Sequence, residues 1–206
     1  MADLPFELDA GLAEHLGRVL DVEGKIPRAL ESLGPVAERD VILIDGAGGL
    51  RARQLTDLGA RVTCVDGSGP SAFDAPDGSA DVLVATWAGF RGASPDEIAQ
   101  AERLLRPGGR LLVVHDYGRD DVATLRGEGN HPEYDDWSRR DGPFLTNGFK
   151  IRVIHCWLQF ESLEDAGSFM AGMFGDGGRE AAAQLTRPRL SYNVAVYHRT
   201  FGEISA

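Results

Sequence analysis

Apolar positions recur along the chain in two rhythms. In "FELDAGLAEHLGRVLDV" Leu8, Leu12, Leu16, Val19 and Leu20 fall on one face at helical spacing. A second helix, "IPRALESLG", stops at Gly34-Pro35. The rhythm then changes. "VILID", residues 41–45, is a continuous apolar run of the kind a central parallel strand requires. "LRARQLTDLG" returns to helical spacing, with Leu50, Leu55 and Leu58 inward and Gly59 at its end. "RVTCVD" and "DVLVAT" read as two short buried strands. "SPDEIAQAERLLRPGG" carries helix signals, with Ser94 as N-cap, Pro95 at the first helical position and Glu97 completing a capping box. Ile98, Ala101 and Leu105 form its inward stripe, and Pro107-Gly108-Gly109 turns the chain into the strand "RLLVVHD".

Beyond Asp116 comes a polar stretch dotted with aromatic residues, in which the pattern predicts one helix around 132–140. "KIRVIHCWLQF" is a long strand, "SLEDAGSFMAGMFG" and "REAAAQL" are helical, and "LSYNVAVYHRT" is a further strand. Helices and strands alternating in this order predict a doubly wound, mostly parallel α/β sheet, its last two strands an antiparallel pair at one edge. No internal repeat or long linker divides the chain. One domain is expected over 1–206: N-terminal helices in 1–35, a core in 38–117, and helices with the strand pair in 118–206.

Charge narrows the partners. The 206 residues carry a net charge of −11, which argues against nucleic acid and anionic membrane, since both reward a basic face. Of the 21 basic residues only Lys25 and Lys150 are lysines, which reads first as coding bias. Cys64 and Cys156 lie inside strand-like runs and are expected to be buried free thiols in a reducing compartment. No segment reaches the roughly 18 apolar residues of a membrane span. The acidic start "MADLPFELD" is not a leader, so a cytoplasmic protein is expected.

Chemistry concentrates where strands end. "VILIDGAGGLR" places Asp45 and a Gly-rich turn before a helix, where small residues admit a ligand to free backbone N–H groups. For a dinucleotide fingerprint Gly46 and Gly48 match, but Arg51 fills the third glycine position. An oxidoreductase therefore ranks well behind a binder of a ligand with a cationic amine, which Asp45 suits. Asp66 ends the second strand, where a carboxylate can accept both hydrogen bonds of a ribose diol or simply head a solvated turn.

With "PDGSADVLVA" and "EIAQAERLLRPGGRLLVVHD", these stretches resemble the class I S-adenosylmethionine-dependent methyltransferases that act on small molecules. The likeness is close over about residues 38–117. It implies a Rossmann-like sheet, with S-adenosylmethionine as methyl donor and S-adenosylhomocysteine as product. Asp45, Gly46, Ala47, Gly48 and Gly49 would then surround the methionine part, and Asp66 would bind the ribose, with Gly67 beside it. Asp74, inside the following linker, is a further cofactor-side candidate, although its offset from Asp81 does not match the family's acid. Thr86 and Trp87 would line the pocket, and His115, Asp116 and Tyr117 would face the acceptor as catalytic candidates. Ala47 and Arg51 replace the first and third glycines of the family turn.

The larger departure lies between Asp66 and Asp81, where only fourteen residues stand in place of a helix, a third strand and an adenine-binding acid. Fourteen extended residues reach about 46 Å. Crossing a strand of about 17 Å and two strand spacings of nearly 10 Å needs less. The fold is thus expected without its usual third strand, leaving strand two as an edge that a homodimer could cover. Methyl transfer needs positioning more than acid–base groups, so the lack of a triad is no objection. Tyr134, Trp137 and Arg139 are further acceptor-side candidates, and His115 could serve as a base. His131 with Asp135 and Asp136 reads as a wet helix face rather than a metal site. The expected function is methyl transfer to a small molecule; the alternative is a non-catalytic methyltransferase fold used for binding or dimerisation.

Overall fold

The computed structural model describes residues 9–45, 49–65, 74–127 and 133–202, with the backbone alone for Ala10 and Asp45. Two helices come first, α1 (Ala10–Val19) and α2 (Lys25–Leu33). Then follow β1 (Asp40–Asp45), α3 (Leu50–Asp57), β2 (Arg61–Val65), β3 (Ala80–Thr86), α4 (Pro95–Leu104) and β4 (Leu105–Asp116). The short helices α5 (Asp121–Arg126), α6 (Glu133–Trp137) and α7 (Pro143–Thr146) precede β5 (Lys150–Gln159), α8 (Leu163–Ala182) and β6 (Arg189–Thr200).

The strands form one six-stranded sheet in the order β2-β1-β3-β4-β6-β5. β1 pairs in parallel with β2 and β3, and β3 with β4. β6 is antiparallel to both β4 and β5. β5 therefore runs with the first four strands, and β6 alone runs against them. The expected antiparallel pair is present, with β6 inserted inside the sheet and β5 at the edge.

Burial follows the apolar runs. Val41, Ile42, Leu43 and Ile44 of β1 are all buried because both faces of the strand are covered. Val41 and Leu43 share one core with Leu16, Leu20, Ile26, Leu30, Leu55 and Phe169, from α1, α2, α3 and α8. Ile42 and Ile44 share the other with Ile98, Leu104, Trp137 and Phe144, from α4, α6 and α7. The helix after β1 and the helix after β3 thus lie on opposite faces, the arrangement that defines a doubly wound sheet.

The described residues between β2 and β3, 74–79, are turn and coil, and among the described residues β2 pairs with β1 alone. Arg61, Thr63 and Cys64 are exposed on it. This corrects the expectation of a buried Cys64: its run is apolar, but an edge strand has one side open. Cys156 is buried as expected.

Other corrections are local. Ser94 makes no side-chain cap; Glu97 instead accepts the Phe90 N–H at 2.9 Å. α4 ends at Leu104, and β4 starts at Leu105, with Arg106–Gly109 looped out between the pairs Ala80–Leu105 and Val82–Arg110. A side chain on Gly109 would meet the Arg106 carbonyl oxygen at 2.8 Å, which explains the glycine. α6 is shorter than expected, and α5 and α7 were not anticipated. α8 bends at Gly175 (φ 60°, ψ −133°), at the break between the two helices read from the pattern.

Candidate functional site

The strand order reverses at β1, whose connection leads outward to β2 while β3 connects toward β4. Ligands of open α/β sheets bind at such a switch point, beyond the carboxyl ends of the strands. Here β1 ends at Asp45, in register with Thr86 at the end of β3. α3 starts from Gly49, whose φ of 85° lies in the left-handed region that glycine reaches without strain. No side chain caps α3, so its first turn presents backbone N–H groups toward this end of the sheet.

Arg51 turns inward from α3 and is 1% exposed. Its Nη1 lies 2.5 Å from Gln54 Oε1 and 3.9 Å from Asp21 Oδ2, and its guanidinium stands 5.8 Å from the Trp87 ring centre. Asp21 also accepts the N–H groups of Lys25 and Ile26 at the start of α2. Burying an unpaired charge is prohibitive, and Asp21 and Gln54 are among the groups that compensate the arginine here.

Asp116, at the end of β4, is the hub of a second buried network. It accepts Trp87 Nε1 at 2.8 Å, Arg126 Nη2 at 2.5 Å and the Tyr192 hydroxyl. Tyr192 stacks on Trp87 with an interplanar angle of 13°. Burial first, and then the charge of Asp116, push the Tyr192 phenol well above its ordinary range, so it stays a donor. Asp120 accepts the Ala123 N–H at the start of α5 and the Asn193 N–H of β6. Its carboxyl is raised chiefly by burial.

His115 points to the opposite face, as strand alternation requires. It is fully buried among Tyr134, Trp137 and Phe144, with ring centres 4.9 to 6.5 Å away. Its Nε2 lies 3.2 Å from the Gly89 carbonyl oxygen, to which it donates, while Nδ1 has no partner. Burial, and then the nearby Arg91, lower its pKa to about 3. The structure therefore places the His115 imidazole inside an aromatic cluster. It places the Asp116 carboxylate among three internal donors.

The loop joining β3 to α4 has an unusual backbone. Trp87, Phe90 and Ala93 have φ of 48°, 54° and 54°, and Gly89 and Gly92 are also left-handed. For a non-glycine residue that region costs of order 1 kcal/mol each.

The remaining candidates are dispersed. Thr86 and Trp87 are fully buried at the end of β3. Tyr117 is half-buried, donating its N–H to Asn193 and accepting Arg119 at its hydroxyl. Tyr134 and Trp137 are buried around His115, and Arg139 is exposed and ion-paired to Asp136 and Asp141, so the three do not form one cluster. Asp74 is exposed. The next residue, Ala75, lines a cavity of about 320 Å³ with Asp40 to Ile42, at the strand starts and away from Asp45 and Thr86. A second cavity of about 250 Å³, between Arg39 and Arg110, lies at that same far end. Gly46, Ala47, Gly48, Asp66, Gly67 and His131, and the Asp45 side chain, lie outside the described residues. Sequence reasoning missed Asp21, Arg126 and Tyr192. Asp21 before "EGKIP" is a visible cap signal, whereas Arg126 and Tyr192 stand in no motif.

No protein-family model and no curated protein matches the chain. Solved structures do. A candidate type II methyltransferase from Anaeromyxobacter dehalogenans superposes with a TM-score of 0.56 at 18% identity, covering 86% of this chain and 96% of that one. A candidate methyltransferase from an antibiotic-biosynthesis pathway of Anabaena variabilis gives 0.53 at 16% identity, covering 87% and 98%. Sheet order, switch point and these likenesses agree: the chain has the Rossmann-like fold of these methyltransferase structures, a mostly parallel six-stranded sheet with an antiparallel C-terminal pair.

Proposed function

We propose that the protein transfers a methyl group from S-adenosylmethionine to a small-molecule acceptor. One observation carries the reading: at the switch point, Asp45 and Thr86 stand in register beside a glycine-entered helix, Gly49 leading into α3. The residues fit the donor. In this reading Asp45 and Gly46 to Gly49 hold its methionine part, Asp66 its ribose, and Thr86 and Trp87 back the pocket. The donor supplies a methyl group on a positive sulfur, and the protein supplies alignment and exclusion of water. His115 is enclosed by aromatic rings and Asp116 accepts three internal donors, so in this reading the acceptor is one whose nucleophilic atom needs no protein base from β4.

Calorimetry tests this. Micromolar binding of S-adenosylmethionine and S-adenosylhomocysteine is expected, lost in Asp66→Ala and Gly49→Val. No binding to the unaltered protein at millimolar ligand overturns the proposal in favour of a non-catalytic fold.

A further inference from the structure

His115 and Asp116 are adjacent on β4, point to opposite faces, and are both spent on the same loop. Asp116 holds the Trp87 indole at 2.8 Å from one face, and His115 holds the Gly89 carbonyl at 3.2 Å from the other. A third hold comes from α4, where Glu97 accepts the Phe90 N–H at 2.9 Å. Between these points, five of the seven residues 87–93 have positive φ, and only two of the five are glycines. A chain left to itself avoids such a run. The side chains of Trp87, Ala88, Phe90 and Ala93 are turned inward and buried, so the outer surface of the loop is Gly89, Arg91 and Gly92. Largely backbone is therefore presented at the end of β3. An apolar residue at 115 would fill the aromatic cluster without burying an imidazole nitrogen that has no partner. What the imidazole adds is the bond to Gly89.

We propose that His115, Asp116 and Glu97 are positioning residues that together lock residues 87–93 into one left-handed path, making this loop a preformed wall of the ligand crevice. The lock is a matter of the loop alone; the identity of the ligand rests on the methyltransferase reading. Preforming the wall removes the ordering cost that a mobile loop adds to binding.

Amide hydrogen exchange at Trp87, Phe90 and Ala93 tests the lock, because all three amides are hydrogen-bonded in the held loop. Trp87→Phe removes the indole donor. Glu97→Ala removes an acceptor on a half-buried position that tolerates change. Each variant is expected to speed exchange at all three amides about fivefold, the effect of one lost hydrogen bond. Glu97→Gln, which keeps an acceptor oxygen, is expected to restore protection. Acceleration confined to the residue next to each substitution overturns the lock. The affinity for S-adenosylhomocysteine is expected to fall by the same factor in Trp87→Phe and Glu97→Ala. Unchanged affinity beside faster exchange overturns the role as a ligand wall. If the unaltered protein binds no S-adenosylhomocysteine, the methyltransferase reading fails, while the exchange pattern still decides the lock.

Discussion

The Arg126 guanidinium meets the Asp116 carboxylate at 2.5 Å, with the two side chains 6% and 1% exposed. Neither charge has water to fall back on. Arg126→Met leaves the carboxylate with the neutral donors Trp87 and Tyr192 alone. Loss of about 3–5 kcal/mol is expected, the cost of stranding one member of a buried pair, read from urea unfolding midpoints.

Two glycines separate backbone strain from steric clash. Gly49 has a φ of 85° and, among the described residues, nothing nearer than 4.0 Å to an added methyl group. Gly49→Ala is expected to cost about 1 kcal/mol, through conformation alone. Gly109→Ala places the methyl 2.8 Å from a backbone oxygen and is expected to cost about 2–3 kcal/mol. Thermal melts of the pair should rank them in that order, and a reversed ranking refutes the assignment of causes.

The buried imidazole of His115 predicts a stability slope with pH. Its folded pKa, about 3, lies below the ordinary value of 6.5, so the unfolded chain binds the proton first. Stability contributed by the neutral ring is full above about pH 6.5 and is lost progressively as the pH falls toward 3. The limiting slope is about 1.4 kcal/mol per unit. Subtracting the profile of His115→Phe from that of the unaltered protein isolates this part from His198, which burial shifts in the same direction. Parallel profiles between pH 6.5 and 4.5 would disprove it.

The two thiols should react very differently. Cys64 is exposed on β2, whereas Cys156 is buried, with its thiol pushed up to about 12 by burial and by Asp21. Iodoacetamide at pH 8 is expected to modify one cysteine in the folded protein and both in urea, with mass mapping placing the first at Cys64. Fast modification of Cys156 in the native state would contradict this packing.

The strands and the large helices were legible because their apolar patterns are long and their ends are punctuated. "VILID", "DVLVAT" and "RLLVVHD" lie side by side in the sheet, and Gly34, Gly59 and Gly175 mark helix ends or a bend. Short helices were not legible. α5 is six residues held by the Asp120 cap, and α7 is four. The site was read less well, for a reason specific to strand ends. A polar residue at the end of a strand looks ligand-facing in sequence, and His115 and Asp116 fit that description. Their internal partners were not legible, since Tyr192 and Arg126 come from elements that carry no motif. Edge position was equally invisible within "RVTCV", because a strand's place in the sheet is set by pairing, and among the described strands β2 comes last in the order.

The place of β6 has a consequence for how the molecule is made. It is the sixth strand in chain order, yet it is seated between the fourth and the fifth. Until residues 189–200 leave the ribosome, β4 and β5 are two open margins with no bond to each other. Before β6 is made, β5 can lean on the N-terminal helices, through the Leu20–Leu158 bridge, but has no strand beside it in the sheet. The sheet is thus completed from the inside, and the margin of β4 that β6 covers is an unpaired strand edge of the kind that invites aggregation.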